Sequence, residues 1–209
     1  MFAGAAIPLP HALVMLLPMD AAAVRTAPSF ECLRTVNETY ASLGVLTERV
    51  AGDMQRRGFS AVPGEAIGGA VDYLSLAARA GLGAVTASGL LASEGHGTCQ
   101  RIGAVFLELE EAPSRPPASR FEWVGEYCVR CQRCVRDCPA QAIRSSPPLR
   151  ADGHAACVDG DRCLAYFRSH WGCSVCIKVC PLISGDLDKV RRGRGRSVRP
   201  GSRAARSRR

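Results

Sequence analysis

The apolar positions change period several times along this chain, and each change marks an element. Residues 12–19 form a short continuous apolar run closed by Asp20, which predicts a buried strand. Ser29, after Ala27-Pro28, offers a helix N-cap. Beyond it Leu33, Val36, Tyr40, Leu43, Leu46, Val50 and Met54 recur every three or four residues, so a long helix with one apolar stripe is expected to end near Gly58. A short strand over 59–62, a Pro63-Gly64 turn and a second helix over 71–79 stopped by Gly81 follow. After a loop and turn region, residues 102–109 read as a strand. Pro113, Pro116 and Pro117 then mark a linker.

The chain has 209 residues, enough for one medium domain and a small one. Its formal charge of +8 is concentrated at one end. Residues 189–209 hold ten Lys and Arg and no acid, which leaves 17 basic against 19 acidic residues before them. The body is therefore mildly acidic, and the Gly/Ser/Arg tail is expected to be disordered. That tail has no aromatic residues to stack on bases, so nucleic-acid binding is not expected of it. The apolar start, residues 3–24, raises the question of an export leader or a membrane span. No basic residue precedes it, Pro8, Pro10 and Pro18 interrupt it, and Asp20 follows, so neither is expected. A cytoplasmic location without membrane contact is the expectation, and there a cysteine pattern points to metal rather than disulfides.

Eight of the eleven cysteines fall in two blocks. Cys128, Cys131, Cys134 and Cys138 precede Pro139; Cys163, Cys173, Cys176 and Cys180 precede Pro181. Structural zinc usually takes two separated CxxC pairs, whereas a third cysteine at the next step followed by Cys-Pro is an iron–sulfur spacing. In the bacterial two-cluster pattern the Cys-Pro cysteine serves the other cluster. Applied here, Cys128, Cys131, Cys134 and Cys180 would hold one [4Fe–4S] cluster, and Cys138, Cys163, Cys173 and Cys176 the second. Ile143, Ile177 and Leu182 are suited to cover them. Nine residues separate Cys163 from Cys173 where the first block has two, and Cys157 competes for that ligand position. Cys32 and Cys99 stand alone and read as small buried core residues. His96, between Gly95 and Gly97, is read as an ordinary exposed loop histidine, and His154 and His170 are left out because the cysteines already supply four ligands per cluster.

This second block, with Asp161-Arg162-Cys163-Leu164-Ala165-Tyr166 and Gly172-Cys173-Ser174-Val175-Cys176, resembles the cluster domain of reductive dehalogenases and epoxyqueuosine reductases. The resemblance extends upstream through Leu76-Ala77-Ala78-Arg79-Ala80-Gly81-Leu82-Gly83, Ser88-Gly89-Leu90-Leu91, Gly97 and Arg57-Gly58-Phe59-Ser60-Ala61. It implies an α+β fold: a partial nitroreductase-like, candidate corrinoid-binding domain over 1–110 and a Pro-rich linker over 111–122. A two-cluster ferredoxin-type module over 123–183 and a disordered tail over 184–209 complete it. It also implies cobalamin as a further cofactor, an external low-potential electron donor and a small-molecule or tRNA-base substrate. Tyr40 becomes a candidate proton donor, although a core tyrosine with a bonded hydroxyl fits the same stripe. Such relatives generally place a basic residue near the active site where Ala87 stands here. The chain is also short at both ends for such a protein, so a shortened member is one expectation. A non-catalytic electron carrier without a corrinoid site is the other.

Overall fold

The computed structural model describes residues 9–69, 71–110, 119–149 and 155–193. Strand β1 (His11–Pro18) leads into α1 (Ala21–Arg25), whose first turn is capped by Asp20 accepting from Ala22 N at 2.8 Å. Helix α2 (Phe30–Arg56) starts at Ser29, whose hydroxyl accepts from Cys32 N at 3.0 Å. Strand β2 (Ala61–Pro63), α3 (Tyr73–Arg79), β3 (Gly83–Val85), β4 (Leu91–Ser93) and β5 (Gln100–Leu107) follow. A 3-10 turn (Ser119–Phe121) opens the cysteine-rich half. Helices α4 (Trp123–Cys131), α5 (Arg133–Arg136), α6 (Gly160–Ser169) and α7 (Val175–Lys178), a second 3-10 turn (Pro181–Ser184) and α8 (Leu187–Arg192) complete it.

The predicted strands and both predicted helices are present within a few residues of their expected limits. Strand β5 lies between β1 and β2, antiparallel to both, with Val14 opposite Ala104 and Val62 opposite Phe106. Helix α2 crosses this sheet so closely that a Cβ on Gly103 would stand 2.8 Å from Leu43 Cδ1. That approach decides which side of α2 is buried. Its fully covered row is Cys32, Thr35, Thr39, Leu43, Thr47 and Ala51, whereas Val36, Tyr40, Leu46, Val50 and Met54 of the expected stripe are half-buried along its flanks. Small side chains allow the close crossing. The threonines pass as apolar because their hydroxyls are satisfied within the helix, Thr39 donating to Thr35 O at 2.7 Å and Thr47 to Gly44 O at 2.9 Å.

Three expectations need correction. The loop and turn region holds the β3–β4 hairpin, with Ala84 opposite Ala92, a pair of three-residue strands too short to show a period. The expected linker lies outside the described residues over 111–118, but its end is folded, with Phe121 buried under Trp123 and Val124 in one core cluster. The expected disordered tail likewise begins as structure: Leu187 is buried and α8 is capped by Asp186 accepting from Lys189 N at 2.9 Å. Residues 194–209, on which the expectations of disorder and nucleic-acid binding chiefly rest, and His154 lie outside the described residues.

The two halves share their cores. Met19, Val24, Cys32 and Cys99 pack with Ile177 and Ile183, and Ala92 packs with Trp123, Leu182 and Leu187. Lys178 Nζ donates to Ala27 O at 2.6 Å. The closest seam is between backbones. Gly95 N donates to Gly185 O at 3.0 Å, and a Cβ on Gly97 would fall 1.7 Å from Leu182 O. Gly97 also has φ +57°, where a side chain adds strain.

Gly97→Ala is therefore expected to destabilise the fold by ~2–3 kcal/mol, read as a lowered thermal midpoint, while Gly125→Ala, which meets nothing within 4 Å, leaves it near wild type. Burial pushes the Cys99 thiol up to about 11. Because the folded state holds that proton more tightly than the unfolded state, stability is expected to fall as pH rises from the unfolded thiol range toward 11. Cys99→Ala should flatten that alkaline limb in denaturant titrations.

Candidate metal centre

Both cysteine blocks use the same local device. Helix α4 presents Cys128 and Cys131 one turn apart, then Gln132 takes a left-handed conformation (φ 49°) and α5 restarts to carry Cys134. In the second block Cys173 and Ser174 are left-handed (φ 52° and 63°) ahead of α7, which carries Cys176. Cys180 precedes the Pro181–Ser184 turn. Non-glycine residues avoid this region unless their surroundings hold them there. The long gap between Cys163 and Cys173 is filled by α6. Its chain reverses through Trp171 and Gly172, both at positive φ, and brings Cys173 back beside Cys163.

The thiols gather into two neighbourhoods. Cys134 is pushed up to about 11 by burial, with Cys180, Cys128 and Cys131 as its negative neighbours, and Cys180 reaches about 11 with Cys128 and Cys131 beside it. Cys163 is raised by burial and by Cys173 and Cys138; Cys173 by burial and by Cys138. Cys176 is pushed up to about 12 by burial, then by Cys173, Cys163 and, across the seam between the groups, Cys134. Cys157, the competitor, is buried elsewhere, against Thr86 and Gly89 on the Cys128 side. Among the described residues no three Cys, His, Asp or Glu side chains converge tightly enough to share a single ion. A cuboidal cluster sets its four thiolates wider apart than one ion does.

Donor groups already face the sulfurs. Ala142 N donates to Cys138 Sγ at 3.3 Å. Backbone amides of Val135, Val175, Ile177 and Leu182 favour the thiolates of Cys134, Cys173, Cys176 and Cys180. Thr98 Oγ1 is buried and completes no hydrogen bond of good geometry, yet it stands close enough to Cys180 to favour its thiolate. An orphaned hydroxyl beside a sulfur, and amides aimed at thiols with no countercharge among them, fit a positively charged metal core held by these residues. Ile143, Ile177 and Leu182 are all buried around them, as a water-excluding cover requires.

The hollows beside this centre contain what the sequence left out. A cavity of about 210 Å³ is lined by Tyr40, Tyr73, Gln100 and Arg101. Arg101 lies over the Tyr40 ring at 4.9 Å, and its Nε is buried without a partner. A larger cavity of about 400 Å³ shares Leu74 and Gly89 with the first and continues to Cys128, Gln132 and Cys157. So Tyr40 does not stand in a closed core: it lines a hollow that shares two wall residues with the cavity at the first thiol group. Ala87, where a basic residue was looked for, offers its backbone amide to Cys128 instead. The cation beside Tyr40 is Arg101, legible in the sequence only as a charge at the start of an apolar strand.

A family profile described as a 4Fe-4S dicluster domain matches residues 127–183. A tetrachloroethene reductive dehalogenase of Desulfitobacterium hafniense is 32% identical over 185 residues, covering 80% of this chain and 32% of that protein. An epoxyqueuosine reductase of Lactococcus garvieae is 32% identical over 133 residues, covering 56% of this chain and 33% of that protein. This chain is a homologue of reductive dehalogenases and epoxyqueuosine reductases. It carries their 4Fe-4S domain and spans about a third of the length of the curated relatives it matches. The fold agrees with that of a solved catabolic reductive dehalogenase, at a TM-score of 0.72 and 22% identity over 81% of this chain and 25% of that one. Another of the matching structures is described as suggesting a mechanism for B12-dependent dehalogenation. No helix among the described residues is long and apolar enough to cross a membrane.

Tyr127 supplies a direct test of how the protein tunes the centre. Its hydroxyl is pushed up to about 12, chiefly by burial and by the neighbouring thiolates of Cys131 and Cys180, and it hydrogen-bonds Cys131. In iron-loaded protein, Tyr127→Phe removes an O–H donor to sulfur and is expected to move the potential of one cluster to more negative values in an EPR-monitored redox titration, the other staying in place.

Proposed function

We propose that this chain holds two [4Fe–4S] clusters and passes electrons inward to a corrinoid in the hollow between Cys128 and Tyr40, as part of a reductive dehalogenase-like or epoxyqueuosine reductase-like oxidoreductase. The observation that carries this is the division of eight thiols into two fourfold groups, one of which borders that hollow. Cys128, Cys131, Cys134 and Cys180 are assigned to the inner cluster. Cys138, Cys163, Cys173 and Cys176 are assigned to the outer one, so each draws a ligand from the other block.

The upstream domain is read as nitroreductase-like, with residues 1–110 supplying one wall of the corrinoid site. A corrinoid bound there supplies a low-valent metal centre able to reduce a halogenated small molecule or a tRNA-base epoxide. The chain's own residues hold and orient. Tyr40 keeps a proton at Oη facing the hollow, and the Arg101 guanidinium over its ring places a positive charge beside it and an unpaired Nε–H toward the bound molecule. Gln132 Oε1, buried without a partner beside Cys128, is an acceptor facing the same space. Leu74, Val85 and Leu149 give that space apolar walls. Eleven unpaired cysteines suit the reducing cytoplasm, which we take as the compartment.

A second reading, an electron carrier without a corrinoid, rests on Ala87, whose place in this chain serves Cys128 rather than a substrate. Anaerobic reconstitution followed by metal analysis separates the possibilities. About eight iron per chain are expected, and Cys180→Ser is expected to impair the inner cluster, about 50 residues away in sequence from its partners, while sparing the outer one. Stoichiometric zinc in place of iron would overturn the assignment. Hydroxocobalamin added to the loaded protein should be retained on gel filtration with altered visible absorption. If no cobalt stays bound, the carrier reading stands and the corrinoid reading falls.

A further inference from the structure

Around one ligand of the second block the backbone is left-handed without a break: Trp171, Gly172, Cys173 and Ser174 have φ of 50°, 71°, 52° and 63°. Three of these residues carry side chains, which disfavour that region, and such a run persists only where its surroundings hold it. On one side it is closed onto α6, Gly172 N donating to Phe167 O at 3.2 Å and Cys173 N to His170 O at 2.8 Å. On the other side it is clasped by the start of α2 and the residues just before it. Lys178 Nζ donates to Ala27 O at 2.6 Å, the Phe30 ring meets that of Trp171 edge-on at 5.7 Å, and a Cβ on Gly172 would stand 3.3 Å from Leu33 Cδ1.

Cys32 is the buried polar member of this clasp. The cap at Ser29, accepting from Cys32 N, sets the residue in the first turn of α2. There it is fully buried with Cys99 and Ile177, in a core against which Cys176 also packs. The Cys32 thiol and the Ser174 hydroxyl hydrogen-bond each other, and the same hydroxyl donates to Gly172 O at 3.4 Å. Cys99, its buried neighbour, donates instead to Met19 O at 3.6 Å. What the left-handed turn aims is the next amide, because Val175 N favours the Cys173 thiolate. Amides gathered in such a turn make a concavity for a negative atom, and donors to a ligating sulfur tune both metal affinity and potential.

We propose that Cys32 is a positioning residue for the outer cluster: through Ser174 it holds the left-handed turn that carries Cys173 and keeps the Val175 amide on that sulfur. This rests on the two-cluster assignment above. The upstream half of the chain thereby tunes a cluster to which it gives no ligand. Breaking the Cys32–Ser174 bond lets the turn relax and draws a donor away from the sulfur. The outer cluster is then easier to strip of iron and harder to reduce.

The test takes the anaerobically reconstituted full chain and reads two quantities, the rate at which bipyridine strips iron and the cluster potentials in an EPR-monitored titration. The outer cluster is identified as the one that Cys180→Ser spares. Cys32→Ala is expected to speed the loss of about half of the iron about tenfold and to move the outer potential to more negative values, the other staying in place. Ser174→Ala should do the same, and the double variant no more than either alone. Cys32→Ser, which keeps a hydrogen-bonding group of similar size, should return both readouts toward wild type. Cys99→Ala removes the same atoms from the same core and should move neither. Wild-type iron release and potential in Cys32→Ala, an additive double variant, or an equal effect of Cys99→Ala would overturn the positioning role while leaving the clusters in place. Should Cys32→Ala fail to load iron, Ser174→Ala decides, its side chain being only half-buried: wild-type behaviour there overturns the role. Wild-type protein that takes up zinc, or iron for a single cluster, would overturn the two-cluster assignment and this proposal with it.

Discussion

Eight thiols in two groups, partly withdrawn from water, are stable together only if they stay protonated or share a positive core. Burial and mutual repulsion push Cys134, Cys176 and Cys180 to about 11 or 12, so an empty site would hold its protons at neutral pH and metal loading must displace them. The rest of the structure answers to that requirement. Backbone amides and the Thr98 hydroxyl turn toward sulfur, and left-handed residues at Gln132, Cys173 and Ser174 bend the ligand-bearing turns around a common point. Pairing Cys180 with the first block and Cys138 with the second ties the ends of the module together. Neither group can be completed by one segment alone.

Much of this was legible because cysteine spacing is set by local geometry. Two blocks ending in Cys-Pro specify a turn, a restart and a stop whatever surrounds them, and the structure places Cys163 rather than Cys157 beside Cys173. The long gap was visible, but that a whole helix filled it was less so, since α6 spends its exposed face on Leu164 and Phe167. The α2 stripe was read from residue type, and it failed where contact distance mattered more than hydropathy. Gly103 lets the helix approach so near that threonine and alanine fit the buried row better than leucine and valine. Three-residue strands such as β3 and β4 show no period at all. Nor could a sequence period reveal that Gly97 and Gly185 meet backbone to backbone across the two halves.

Arg101 shows a different limit. A charge at the start of a buried strand contradicts the pattern around it, and such a contradiction is a reason to look for function. Nothing in the sequence says which residue it meets, because Tyr40 is distant along the chain and is brought close only by α2 lying over β5. Ala87, where a basic residue was expected, lines the cavity at Cys128, and Arg101 lines the neighbouring one. Ala87 sits where the backbone must approach Cys128, and its amide does there what a long cationic side chain could not do without crowding the thiol group.

Placement is rigid at the Tyr40 end of the molecule. Tyr40 and Arg101 stand on helix α2 and the central strand β5, whose positions are fixed by the close crossing at Gly103. Cys163 and Cys173 stand on α6 and in the reversal that follows it. Between them Cys134 and Cys176 lie across the seam of the two thiol groups. Both groups are partly exposed, and Cys128 of the first lines the cavity that shares Leu74 and Gly89 with the hollow at Tyr40.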